Sequence, residues 1–240
     1  MSAVLLEVAV TTVDDAIRAA EAGADRLELC SVLEVGGVTP SPETFLGVRA
    51  AVAIPVWVLV RPRPGGFHYS PGKFSTLRRD AEWFLSQGAG GIVVGALTGD
   101  NRIDFDRCAE LARNASGRAA FHRAFDCIAD RLTALDELIE LGFRRVLTSG
   151  GAATAIEGAD GIAKLIEAAR GRIEVLPGGG VSPANVEELI RRTGCTQVHG
   201  SFRTPSSETA GAFGESRTTD ERIVREVRTR LNRYARIASG

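Results

Sequence analysis

Short apolar runs alternate with amphipathic stretches along the whole chain. The runs are LLEVAV (5–10), RLELC (26–30), VWVLV (56–60), GIVVGAL (91–97), RAAFHRAF (118–125), RRVLTSG (144–150), IEVLPGGG (173–180) and TQVHGS (196–201). Most are rich in Val, Leu and Ile and stop at Gly, Pro, Ser or a charge, as parallel strands buried on both faces do. Between them lie eight stretches of helical period: 13–24, a helix opening at SPET (41–44), 73–88, 104–115, 130–142, 158–170, 182–193 and 220–237. Ser41 followed by Pro42 has the form of an N-cap with proline at the first helical position, and Ser182 with Pro183 repeats it. Gly23, Gly88, Gly142 and Gly194 each stand where a helix must reverse into the next strand, a position that asks for positive φ.

Eight strand–helix units at roughly 30 residues apiece predict an α/β fold, a (β/α)8 TIM barrel in one domain over 1–240. A doubly wound open sheet would carry GxGxxG after its first strand, and here TTVDDA follows. The irregular stretch 202–219, after the eighth strand, has the length of a lid or mobile segment.

Charge and composition narrow the function. The 240 residues carry 29 basic and 30 acidic side chains, a net charge of −1, which removes the basic excess that a nucleic-acid partner requires. No apolar run approaches the ~20 residues of a membrane span, and the first residues lack the basic start of a signal peptide. A cytoplasmic protein is expected. The four cysteines, at 30, 108, 127 and 195, form no CxxC pair, so neither a zinc ribbon nor a disulfide framework is expected.

Strand parity concentrates the chemistry. If Leu6 and Val8 face the helices, Glu7 faces the barrel axis, and the same rule turns Glu28, Trp57, Leu59, Ala120, His122, Gln197, His199 and Ser201 inward, with Arg61 just beyond the third strand. Two carboxylates, a guanidinium and two imidazoles then share one small volume at the strand ends. Charges withdrawn from water cost several kcal/mol each unless paired. Their neighbours shift their pKa values in ways that suit acid–base work near neutral pH. After the seventh strand, Gly178, Gly179 and Gly180 lead toward a helix and, with Gly200 and Ser201, form a candidate anion seat that the TSGG turn (148–151) would extend. Cys30 and Cys127 both fall near the strand C-terminal ends, where a thiolate pair would suit Cu(I) or zinc, although 97 residues separate them. His68, in GGFHY, is expected at the surface.

The segments RLELCSVLEVGGVTPS, VWVLVRPRPGGFHYS, FHRAFD, LGFRRVLTSGG and LPGGGV closely resemble the CutC family in order and spacing, over about residues 4–203. The resemblance implies a TIM barrel, usually cytoplasmic, of the group traditionally named copper homeostasis proteins, with copper as the implied ligand. The family's shared polar residues correspond to Glu7, Glu28, Arg61, His122, Arg123, Asp126 and His199, so Asp126 joins the catalytic candidates on that ground. Pro64 is added relative to the family's loop, and HGSFR replaces its usual HxSAR. Two readings stand side by side. One is a copper-binding protein with Cys30, and Cys127 as second thiol. The other is an enzyme of lyase or isomerase type acting on a small anionic or sugar-like metabolite. Either way the partner is a small molecule or a metal ion, and a homodimer is compatible with the class.

Overall fold

A computed structural model describes residues 4–206 and 216–237. Eight parallel strands run β1 (Leu5–Val10), β2 (Arg26–Leu29), β3 (Val56–Leu59), β4 (Gly91–Val94), β5 (Ala119–Phe121), β6 (Arg145–Thr148), β7 (Glu174–Pro177) and β8 (Gln197–Gly200). They lie in sequence order, with β8 returning to pair with β1, so Leu5 to Val8 stand beside Gln197 to Gly200. The helices follow in turn: α1 (Val13–Glu21), α2 (Pro42–Ala51), α3 (Pro71–Ser86), α4 (Phe105–Ala115), α5 (Arg131–Glu140), α6 (Ala159–Ala169), α7 (Val186–Thr193) and α8 (Glu221–Ile237). This is the TIM barrel that the alternation predicts. Strands β7 and β8 meet through one isolated bridge, Gly178 to His199. A side chain at Gly178 would meet Leu147 Cδ1 at 2.6 Å and the His199 ring at 3.1 Å, so anything larger than glycine would have to push these side chains aside.

Period and caps account for the elements. Leu6, Val8, Leu27, Leu29, Val58, Ile92, Val94, Phe121, Val146 and Val198 point outward and are sealed by Ala16, Phe45, Leu77, Leu111, Leu138, Leu165, Leu189 and Val227 of the helices. The hydroxyl of Ser41 accepts the Thr44 amide at 3.1 Å, with Pro42 opening α2. Gly23, Gly88, Gly142 and Gly194 all adopt positive φ at the helix-to-strand joints.

Three expectations need correction. The fifth strand ends at Phe121, because His122 Nδ1 accepts the Ala124 amide at 3.2 Å and starts a 310 turn over Arg123–Cys127. Ser182 does not cap α7: Asn185 Oδ1 accepts the Ser182 amide at 2.9 Å, and this local turn delays the helix to Val186. The stretch 202–219 is not wholly irregular, since Arg203–Pro205 (β9) and Arg217–Thr219 (β10) pair antiparallel; its residues 207–215 lie outside those described. Arg203 ties this ribbon to the loop after β2 through Glu34 at 2.9 Å.

Candidate functional site

The barrel interior is charged along its length. At its base Arg26 and Arg145 are buried, and Arg145 lies 4.4 Å from the ring centroid of Trp57. Arg145 pairs with Glu174 at 2.9 Å, and Arg26 Nη2 donates to Gln197 at 3.0 Å. One layer higher, Glu7 accepts from Arg26 Nε at one oxygen and from His199 Nδ1 at the other, the latter at 2.8 Å. Arg145 stands 3.8 Å from the same carboxylate. Cations below and imidazole above therefore enclose Glu7, which is 1% exposed.

Glu28 completes the group. Its carboxylate, Glu7 and His199 each present a potential ligand atom, all within 4.8 Å of one another. No described residue donates a hydrogen bond to Glu28, although it is buried and lines the cavity above. The two carboxyls consequently diverge. Burial raises Glu7, but the His199 hydrogen bond and the charges of Arg26, His199 and Arg145 outweigh it and hold the group at about 2. Burial raises Glu28 too, and the nearby charge of Glu7 adds to it; His199, Arg145 and Arg26 offset only part, leaving it at about 7. For His199, burial disfavours the charged ring, yet Glu28 and Glu7 together carry its pKa above the usual value.

The cavity at the strand ends measures about 430 Å³, within the range of small-molecule sites. Glu28, Arg61, Phe67, His122, Arg123 and His199 line it, as do Gly179, Gly180, Val181, Gly200 and Ser201. Of the sequence-derived set, Glu28, Arg61, His122 and His199 thus converge, with Glu7 directly beneath. Arg61 is more occupied than expected: Nη1 donates to the carbonyls of Val35 at 2.9 Å and Gly37 at 2.8 Å, and Nη2 to Gly65 at 2.6 Å. Its Nε and His122 Nε2 are buried without partners, and the Phe67 ring lies 5.0 Å from the guanidinium and 4.8 Å from the imidazole. Because His122 Nδ1 accepts a hydrogen bond, its proton sits on Nε2. Burial, then the Arg61 charge, lowers this histidine to about 3, so it is neutral.

Asp126 has another role. Its carboxylate accepts from Arg123 Nε, the Thr148 and Ser149 hydroxyls and the amides of Ser149 and Gly151, at 2.5–3.2 Å. It positions Arg123 and builds the turn after β6, and it is not among the residues lining the cavity. The amides of Ser149 and Gly151 are therefore committed to Asp126, and that of Gly150 to the Thr148 hydroxyl, so the TSGG turn does not extend the anion seat. Gly178 is also committed, its amide donating to Thr148 at 3.0 Å. Val181, which the glycine pattern passes over, takes its place.

The cysteines separate. Cys30 is fully buried among Trp57, Leu59, Val93 and Ala120, and burial pushes its thiol well up. Cys127 is exposed. Among the described residues, the one group of three or more ligands is Glu7, Glu28 and His199. Two carboxylates and an imidazole suit a hard or borderline divalent ion and do not fit a thiolate Cu(I) centre. Both Glu7 oxygens are, besides, already taken by Arg26 and His199. His68 is exposed, as expected.

Sequence reasoning missed Arg26 and Arg145. Each opens its strand and looks like a boundary charge, but Arg26 has the parity of Glu28, and Arg145 that of Leu147. Extending the alternation by one step finds both.

The CutC family model matches residues 4–204. A family protein CutC of Treponema denticola is 47% identical over 200 residues, covering 83% of this chain and 81% of its own. A human copper homeostasis protein cutC homolog is 44% identical over 200 residues, covering 83% and 73%. The crystal structure of the Streptococcus agalactiae copper homeostasis protein CutC superposes with a TM-score of 0.79 at 33% identity, over 82% of this chain and 98% of that one. No helix among the described residues is long and apolar enough to cross a membrane.

Proposed function

Because the chain belongs to the CutC family, in which the human and mouse relatives carry a copper homeostasis name, we propose a function on the strength of its barrel mouth: an enzyme of lyase or isomerase type that moves a proton on a small polar metabolite. The carrying observation is Glu28, a buried cavity-lining carboxyl at about 7 that accepts no hydrogen bond from the described residues. Near neutral pH such a group is present in both protonation states, the condition under which one residue serves as base and then as acid.

The neighbours supply the rest. Glu28 takes a proton from the carbon next to a carbonyl, and the electron pair moves onto the carbonyl oxygen. His122, which lines the cavity, carries an unpartnered neutral Nε2–H that needs no ionisation to polarise that oxygen, although this nitrogen is buried and must be uncovered to reach it. His199, oriented by Glu7 at 2.8 Å and favoured in its cationic form by both carboxylates, donates a proton to a leaving oxygen as its bond to carbon breaks. In an isomerisation Glu28 instead returns its proton to the former carbonyl carbon while the neighbouring hydroxyl proton passes to the carbonyl oxygen. Arg61 holds the loop carbonyls of Val35, Gly37 and Gly65 and so shapes the cavity lip. No step is routed through copper.

The test uses deuterium. Small carbonyl and hydroxy metabolites, phosphorylated and not, are incubated with the protein in D2O and followed by NMR. Exchange or conversion by the wild type should fall by about 10²-fold or more in Glu28→Gln and persist in Cys30→Ser. A variant that exchanges as fast as the wild type sinks the reading.

A further inference from the structure

The cavity has a second end, whose chemistry the proton-transfer reading does not use. There the chain turns from β7 through Gly179, Gly180 and Val181, with φ of +102° and +70° at the two glycines. The carbonyl of Gly179 accepts the Ala155 amide at 2.8 Å, and that of Gly180 accepts Asn185 Nδ2 at 2.8 Å. In a trans peptide the N–H points opposite to the C=O, and the described chain holds no cis bond. With both carbonyls drawn into the surrounding loops, the amides of Gly180 and Val181 point the other way. Both residues line the cavity, and neither amide donates to a described group.

Arg123 stands over this turn. Its Nε is fixed on Asp126 at 2.8 Å and its Nη2 on Ser149 at 2.7 Å. The remaining nitrogen, Nη1, has no described acceptor and lies 3.0 Å from the position a Cβ on Gly179 would take. Glycine there is what lets the guanidinium approach the turn. Ser201, just after β8, lines the same cavity, and its hydroxyl makes no hydrogen bond with a described residue.

We propose that this end seats a phosphate group, and hence that the metabolite handled by the barrel is a phosphate monoester. A carboxylate is best met by two parallel donors of one arginine fork. Here Arg123 has a single nitrogen to offer, because the other two are held. Its partners are two backbone amides and a hydroxyl arriving from separate loops, and such spread donors match the several oxygens of a tetrahedral dianion. The substrate class rests on the proton-transfer reading for the reacting end, while the phosphate seat stands on its own geometry.

Inorganic phosphate is the probe. In 15N-labelled protein, titration should move the amide resonances of Gly180 and Val181 saturably and raise the unfolding temperature. Arg123→Gln, with folding checked by circular dichroism, should weaken phosphate binding about tenfold or more, the loss of one charge-assisted donor. Ser201→Ala, which disturbs no described contact, should weaken it by less. Glu28→Gln should bind phosphate as the wild type does. Absence of saturable shifts, shifts elsewhere, or affinity unchanged by both Arg123→Gln and Ser201→Ala overturns the seat. Deuterium exchange confined to unphosphorylated metabolites overturns the substrate class and leaves the acid–base reading standing. Phosphate binding as expected, with exchange intact in Glu28→Gln, overturns the acid–base reading and leaves the seat.

Discussion

Two glycine-rich turns stand at the mouth of the barrel, Thr148–Gly151 after β6 and Gly178–Val181 after β7. In the first, the amides of Ser149 and Gly151 converge on the Asp126 carboxylate at 3.0 and 3.2 Å, and the Gly150 amide on the Thr148 hydroxyl at 2.9 Å. In the second, the carbonyls are held and the amides of Gly180 and Val181 have no described acceptor. The first turn has two glycines and the second three; the difference that decides their donors is one carboxylate. The 310 turn that ends β5 carries Asp126 to the first turn, whereas no described acid bonds the second. A cluster of glycines therefore marks a place where backbone donors can gather, and the position of the nearest internal anion decides whether they are free to bind.

Emptying the first turn should have the largest effect. Asp126→Ala leaves the amides of Ser149 and Gly151, the Thr148 hydroxyl and Arg123 Nε without their acceptor, while the Ser149 hydroxyl keeps the Ala152 carbonyl at 2.6 Å, and should cost about 3 kcal/mol, read from urea unfolding. If the carboxylate is what distinguishes the two turns, phosphate should restore part of that loss in the variant. Added methyl groups make the next contrast. Alanine at Gly158 would place its Cβ 1.9 Å from the Ser149 carbonyl oxygen, a backbone clash costing about 2–3 kcal/mol. Alanine at Gly180, at φ +70° with Thr154 Cγ2 at 3.0 Å, should cost about 1 kcal/mol. Equal losses would erase the distinction between a packed turn and an open one.

The last prediction concerns pH, and its sign differs between the two carboxyls beneath the mouth. Glu28, at about 7 against an ordinary 4.5, contributes most below pH 4.5 and loses that contribution as pH rises to 7. Glu28→Gln should match the wild type near pH 4 and exceed it at pH 8 by about 3 kcal/mol, from denaturation midpoints across pH. Glu7, held at about 2, stabilises the fold above pH 4.5 and loses this as pH falls toward 2. Parallel pH curves for wild type and Glu28→Gln would show that Glu28 ionises in the fold as freely as in the unfolded chain.

Much of this was legible in the chain. Strand parity needs only alternation, so it turns Glu7, Glu28, His122 and His199 toward one axis from the sequence alone. What parity cannot supply is the partner of each group. Glu7 and Glu28 look equivalent in sequence, yet Arg26 and His199 grip one and leave the other bare, because Glu7 lies in register with both residues on its two neighbouring strands. The role of Asp126 depends on a contact 22 residues away at Thr148, which no local pattern encodes. Ser182 looks like a helix cap, and it loses that place to Asn185, three positions on.

The seam between β7 and β8 carries a consequence for motion. Other neighbouring strands are zipped through two to four residue pairs, while this junction rests on Gly178 and His199. The most thinly paired seam among the described barrel strands is thus also a wall of the cavity, since His199 belongs to both. Opening there would part the imidazole from the Gly179–Val181 turn, and a ligand touching both would act as a rivet across the gap. Occupancy would then be felt as slowed amide hydrogen exchange in β7 and β8, far more than in the fully laced strands opposite.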